Sequence, residues 1–90
     1  MANPAKRKGD AFERDVVAYL RDQGFPYVER AYGAGRPDDV GDLDGIPGWV
    51  FELKNYRDFR LAEWMDETRR EQAQARAQFG VVVVKRRQRP

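Results

Sequence analysis

The stretch Gly41–Tyr56, GDLDGIPGWVFELKNY, restricts the fold more than any other part of the chain. Trp49, Phe51 and Leu53 alternate with Val50, Glu52 and Lys54, the period of two expected of a strand with one apolar face and one charged face. The apolar face must enter a core. Asp42 and Asp44 share a face upstream by the same period, and Pro47-Gly48 marks the turn between the two runs. For Asp42 to stand opposite Glu52, the connection must hold an odd number of residues. A three-residue loop, Ile46-Pro47-Gly48, pairs Gly45 with Trp49 and Asp42 with Glu52, and puts Gly48 at the left-handed position such loops favour. A two-residue Pro-Gly turn pairs Asp42 with Leu53 instead, unless a bulge restores the register. The expectation is the odd loop.

Opposed strand residues hold their Cβ atoms about 4.5–5.5 Å apart. Two carboxylates that close repel and lose hydration, so they call for a cation between them. Mg²⁺ or Mn²⁺ suits oxygen ligands, and Mg²⁺ keeps waters, one of which is a candidate nucleophile for in-line attack on a phosphodiester. Lys54, about 6.7 Å along the same face from Glu52, is placed to hold that water or the scissile phosphate. The competing reading is a solvated Glu-x-Lys pair on an exposed strand, a spacing that chance supplies often. Asp42, ten residues upstream of Glu52 across a turn, strengthens the functional reading.

What the chain lacks narrows the chemistry further. It has no histidine and no cysteine, which excludes a Ser-His triad, an ordinary zinc site, an imidazole base, disulfides and thiolate catalysis. Carboxylates and lysine remain. Ninety residues with 41% hydrophobic content suit one modest core, and the expectation is a single domain over residues 1–90 with basic tails at 1–9 and 85–90. No apolar run reaches membrane-spanning length and the N-terminal stretch lacks a signal-peptide segment, so a soluble, cytoplasmic protein is expected. The net charge of +2 is unevenly spread: Lys6, Arg7, Lys8, Lys85, Arg86, Arg87 and Arg89 hold seven of the seventeen basic residues, leaving ten against all fifteen acids, a net −5, between them. An acidic middle with basic ends suits a metal-requiring site served by phosphate-gripping arms, although charge runs commonly serve only solubility.

Elsewhere the periodicity predicts a helix over Asp10–Gln23, with Phe12, Val16, Tyr19 and Leu20 on one face and Gly24 as its C-cap. Glu13 has two readings there: the acid of a capping box with Asp10, or, if the helix starts nearer Lys6, an acid one turn inside and beside the apolar face. Tyr27–Tyr32 reads as a strand, and residues 33–39 as a polar loop whose amides and Arg36 suit a backbone phosphate. Beyond Tyr56, Leu61, Trp64, Met65, Thr68, Gln72, Ala75 and Phe79 recur at helical spacing up to Gly80. Arg57 and Arg60, directly after the charged strand, are candidate phosphate contacts. Val81–Val84 has the pattern of a strand buried on both faces, and the order of elements places it beside the hairpin through a helical crossover.

The runs KGDAFERDVVAYLRDQGF, GDLDGIPGWVFELKNY and AQARAQFGVVVVKR together resemble the PD-(D/E)XK nuclease superfamily, and within it the small archaeal and phage Holliday junction resolvases. That resemblance implies an α/β restriction-endonuclease-like core of order α-β-β-β-α-β, a four-stranded mixed sheet flanked by helices, and Mg²⁺-dependent hydrolysis of junction DNA by a homodimer taking part in DNA recombination. It assigns Glu13 as the first-helix acid, Asp42 as the motif aspartate, and Glu52 and Lys54 as the E-x-K pair, with Asp42 and Glu52 binding the metal and Glu13 assisting. Pro37-Asp38 supplies a superficial PD but lies fourteen residues before Glu52, so Asp38 and Asp39 are held in reserve. Gln72 falls roughly where many superfamily members carry a polar helix residue facing the site. The nucleic-acid-binding set is then Lys6, Arg7, Lys8, Arg36, Arg57, Arg60, Lys85, Arg86 and Arg87. The alternatives are another nuclease of this superfamily, serving restriction, repair or replication, and a catalytically silent nucleic-acid-binding module of the same fold.

Overall fold

The structure is a computed structural model that describes residues 4–31 and 41–86, with the side chains of residues 9–31 and 41–86. Six elements follow in the order α1 (Pro4–Asp22), β1 (Glu29–Arg30), β2 (Leu43–Asp44), β3 (Trp49–Lys54), α2 (Leu61–Ala75) and β4 (Phe79–Val84). This is the α-β-β-β-α-β order expected. The strands, however, form two pairs rather than one four-stranded sheet: β1 with β2 antiparallel, and β3 with β4 parallel.

Helix α1 begins at Pro4, where a fixed φ and a missing N–H cost a helix nothing. Asp10 therefore lies well inside the helix, and the capping-box reading of Glu13 falls. The helix closes in a Schellman arrangement, with Phe25 N donating to Leu20 O (3.1 Å), Gly24 N to Arg21 O (3.3 Å), and Gly24 at φ +106°. Its inward face differs from the expected one by a rotation: Phe12 and Val17 are buried, Val16 and Leu20 pack partly against them, and Tyr19 is 62% exposed. With Val28, Leu43, Phe51 and Leu53 they make the core.

Strand β1 is shorter than the expected Tyr27–Tyr32. Val28 N bonds Phe25 O (3.3 Å), so Tyr27 belongs to a turn around Pro26 and points to solvent; Tyr32, like the loop to residue 40, lies outside the described residues. The turn before β3 also corrects the odd loop. Trp49 N donates to Ile46 O (3.2 Å), closing a β-turn whose central residues are Pro47 and Gly48, the latter at φ +84°. Proline second and a left-handed glycine third are what a type II turn demands, and this local demand overrides the three-residue loop.

Strand β3 is covered on both faces, only Trp49 remaining exposed along it. Phe51 and Leu53 enter the α1 core, while α2 lies over Glu52 and Lys54. Strand β4 returns parallel to β3 in the register Trp49↔Phe79 to Lys54↔Val84, the helical crossover expected. Helix α2 ends at Ala75, not at Phe79: Arg76 adopts a left-handed conformation (φ 54°, ψ 38°) as its C-cap, and Phe79 and Gly80 open the strand. A Cβ at Gly80 would come 2.9 Å from Thr68 Cγ2, so glycine lets α2 lie close on β4. The valines of β4 are half-buried rather than buried on both faces.

Gly45, just after β2, lets the chain pass close to the backbone that leads into β1. It has φ +102°, and a Cβ there would collide with the Tyr27 carbonyl. Gly45→Ala is expected to lose about 2–4 kcal/mol in urea unfolding, from left-handed strain plus overpacking. Gly9→Ala, in mid-helix with no atom within 4 Å of the added Cβ, is expected to gain about 0.5–1 kcal/mol in the same measurement.

Candidate functional site

Asp42 joins the two strand pairs. Its N–H donates to Phe51 O (2.7 Å), its carbonyl accepts from Ala31 N (2.9 Å), and its Oδ2 accepts from Leu53 N (2.8 Å). The main chain thus meets the carbonyl before Glu52 and the side chain meets the N–H after it, so Asp42 straddles Glu52. This staple, not the hairpin ladder expected, sets Asp42 close enough to Glu52 for their charges to interact, because the Asp42 side chain occupies the Leu53 N–H that a ladder partner would have used.

The electrostatics follow from that geometry. Burial pushes the Asp42 carboxyl up to about 6; the bond from Leu53 N and the Lys54 charge oppose the rise, and the negative charges of Glu52 and Glu13 add to it. Glu13 is itself held by Arg30, whose Nε donates to Glu13 Oε1 (2.8 Å) while NH2 donates to Asp10 Oδ1 (2.7 Å). The two acids are three residues apart on α1, one turn, and so Arg30 bridges them from β1.

Glu52 is 5% exposed and Lys54 8%. The Lys54 ammonium donates to Glu67 Oε1 (2.7 Å), lies 3.2 Å from Glu52 Oε2, and sits 5.9 Å from the centre of the Tyr56 ring. Burial alone would lower its pKa, but the contacts with Glu67 and Glu52 outweigh that and hold it above the ordinary lysine value. Glu67 comes from α2, whose buried positions Trp64, Thr68 and Glu71 fall at i, i+4 and i+7. Thr68 Oγ1 is satisfied by Trp64 O (2.7 Å). Glu52, Glu67 and Glu71 each offer a carboxylate oxygen, all within 4.8 Å of one another.

Asp42, Glu52, Lys54 and Glu13 therefore occupy one neighbourhood. Gln72 does not join it: its Nε2 donates to Gln78 O (3.1 Å) and Ala77 O (3.4 Å), finishing the C-terminal turn of α2. Glu67, Glu71 and Arg30 were not singled out by the sequence reading. A usable signal exists for Glu71, an acid on the same helical stripe as Trp64 and Thr68; Glu67 and Arg30 gain their meaning only from partners 13 and 17 residues away. Because β3 and β4 are parallel, Lys54 and Val84 end at the same edge, and Lys85 N donates to Lys54 O (2.8 Å). Arg57, Arg60, Lys85 and Arg86 are exposed at or beyond that edge, with Arg60 3.7 Å from Glu63. Lys6, Arg7 and Lys8 lie in the opening turns of α1, their side chains outside the description; Arg36, Asp38, Asp39 and Arg87 lie outside the described residues.

A mixed α/β fold that buries a glutamate and a lysine on one strand, with a half-buried aspartate beside them, is compatible with a nuclease-like architecture. The chain belongs to the archaeal Holliday junction resolvase (hjc) family, whose model it matches over residues 4–79. Membership implies a nuclease that binds junction DNA. No solved structure matches the chain closely enough to count as similar. Among the described residues, no helix is long and apolar enough to cross a membrane.

The Asp42 shift has a consequence for stability. A carboxyl that titrates near 6 when folded and near 3.8 when unfolded binds its proton more tightly in the folded state, so its contribution falls as pH rises from about 4 to 6. Asp42→Asn keeps an acceptor for Leu53 N and removes the charge. In EDTA at pH 7.5 it is expected to be more stable than the wild type by about 2 kcal/mol, after allowance for partial exposure. Urea unfolding across the pH range should show that gap closing towards pH 4.

Proposed function

We propose that the protein is a divalent-metal-dependent DNA endonuclease that resolves four-way junctions, with Asp42 and Glu52 as metal-binding residues, Glu13 assisting, and Lys54 acting on the attacking water or the scissile phosphate. The observation that carries this reading is the staple that sets the Asp42 carboxylate astride Glu52. A half-buried carboxyl forced upward by partial burial and by two neighbouring acids is relieved when a cation arrives, so the donor set fits a hard divalent ion such as Mg²⁺ or Mn²⁺. When bound, such an ion supplies Lewis acidity and lowers the pKa of water at neutral pH.

The residues of the chain supply the rest. Leu53 N–H fixes the Asp42 carboxylate in direction, and Arg30 does the same for Glu13. Lys54, kept protonated, offers a donor to a phosphate oxygen or to water but is no base. Proton removal from water therefore falls to a carboxylate or to the bulk. Arg57, Arg60, Lys85 and Arg86 stand exposed where the two parallel strands end, a placement that suits the phosphates of DNA arms. The homodimer and the single-domain organisation belong to the same proposal; Phe59 and Leu61, exposed at the start of α2, are apolar side chains a second copy would cover.

A labelled four-way junction with Mg²⁺ is expected to be cut, and EDTA to abolish cutting. Glu52→Ala should slow it by about 10³-fold, the several kcal/mol that a cation contributes to the transition state. Unimpaired cutting by Glu52→Ala would sink the mechanism. Equal cutting of linear duplex would sink the junction preference, and tight binding without any cutting would favour the silent binding module.

A further inference from the structure

We infer that Glu67, on α2, is the residue that positions Lys54 for its part in the reaction; the inference rests on the nuclease reading above. Lysine is a flexible four-carbon stem ending in a point charge, so a lysine that acts on one phosphate or one water must be held by its surroundings. Of the two carboxylates on the Lys54 ammonium, Glu67 Oε1 is the closer at 2.7 Å, against 3.2 Å for Glu52 Oε2. Glu52 is also the less dependable anchor, because it carries a second duty as a metal-binding residue. An ammonium with two carboxylate partners stays anchored when one of them turns to another cation.

The anchor is itself rigid. Glu67 lies in the middle of α2, next to Thr68, which is 2% exposed, and one turn from Trp64, which is 6% exposed. Its side chain is 37% exposed and borders an opening that reaches Lys54 and is lined also by Glu63, Trp64, Asp66 and Arg70. Glu67 is thus fixed at its backbone, wet at one side and bonded to Lys54 at its tip. Glu67 also lies within reach of Glu52 and Glu71, so direct metal binding is the rival role, and the test separates the two.

The test compares wild type, Glu67→Ala, Glu67→Gln, Lys54→Ala and the Lys54→Ala/Glu67→Ala double variant in single-turnover cleavage of a labelled junction, titrated with Mg²⁺. Glu67→Ala is expected to slow cleavage by about 10- to 100-fold, the cost of a group displaced by an ångström or so, with junction affinity in EDTA unchanged. Glu67→Gln keeps an acceptor oxygen and the side-chain volume, so it should fold as the wild type and recover most of the rate. The Mg²⁺ concentration for half-maximal rate should stay where it is in both variants. A readout that needs no activity is the same cycle in urea unfolding, where the two alanine substitutions should be coupled rather than additive.

Four results overturn the role: Glu67→Ala cutting at the wild-type rate, Glu67→Gln as slow as Glu67→Ala, a raised Mg²⁺ requirement, which would make Glu67 a metal ligand, or additive unfolding effects. A wild type that cuts no DNA is a different failure. It overturns the nuclease reading and takes the positioning role with it.

Discussion

The hydrogen bond from Leu53 N to the Asp42 carboxylate is the constraint from which the rest of the arrangement follows. Beside it runs one main-chain bond, from Asp42 N to Phe51 O, and together they tie the β1–β2 pair to the β3–β4 pair. A regular ladder at this place would have used only backbone atoms and left the Asp42 side chain free to point elsewhere. Here a carboxylate oxygen does the work of a main-chain carbonyl, so the same atom group that closes the fold is held beside Glu52. Structure and chemistry compete for it. Burial raises the Asp42 carboxyl, which is a cost to the folded state at neutral pH that the proposed metal-binding role would account for.

The charged face of β3 makes the same point in a second way. Six residues of a strand covered on both faces are most readily filled with apolar side chains, yet Glu52 and Lys54 lie buried under α2. A buried ion pair recovers its desolvation only when its geometry is good and its other valences are filled. Lys54 meets that condition with Glu52 on its own strand, Glu67 from α2 and an aromatic ring, which accounts for an acid at position 67 where α2 faces β3. The apolar load is shifted to the other face, where Phe51 and Leu53 meet Phe12, Val17, Val28 and Leu43.

These differences explain which parts of the molecule were legible in the sequence. Alternation from Trp49 to Lys54, the amphipathic run of α1, and the crossover from α2 to a valine strand are local patterns, and each element forms, although α1 starts at Pro4 with its inward face rotated and α2 stops at Ala75. The turn at Pro47-Gly48 is legible too: the preference of a Pro-Gly pair for a type II turn prevails over the three-residue loop that would set Asp42 opposite Glu52. That Asp42 still lies astride Glu52 results from a side-chain bond that no periodicity encodes. Glu67 and Arg30 were hidden for the same reason: an acid on a helix and an arginine on a short strand look like solvated surface until the residue opposite is known. Gln72 illustrates the reverse error, a polar helix residue that looked like a site residue and instead finishes its own helix.

Parallel pairing of β3 with β4 carries the last step of the argument. An antiparallel return would have sent the chain to the far end of β3, away from Lys54. The helical crossover instead brings Lys85 beside Lys54, main chain to main chain, so that the basic C-terminal run starts where the E-x-K strand finishes. Arg57 and Arg60 follow the C-terminal end of β3 at the same edge. Cationic side chains are thereby gathered around the rim of a site whose interior is dominated by acids. On the proposed function such a layout would separate two tasks that a single patch of charge performs badly: the rim would attract a polyanion over a distance set by ionic screening, while the interior would repel phosphate until a cation intervened. The sheet topology, more than any one residue, sets that order.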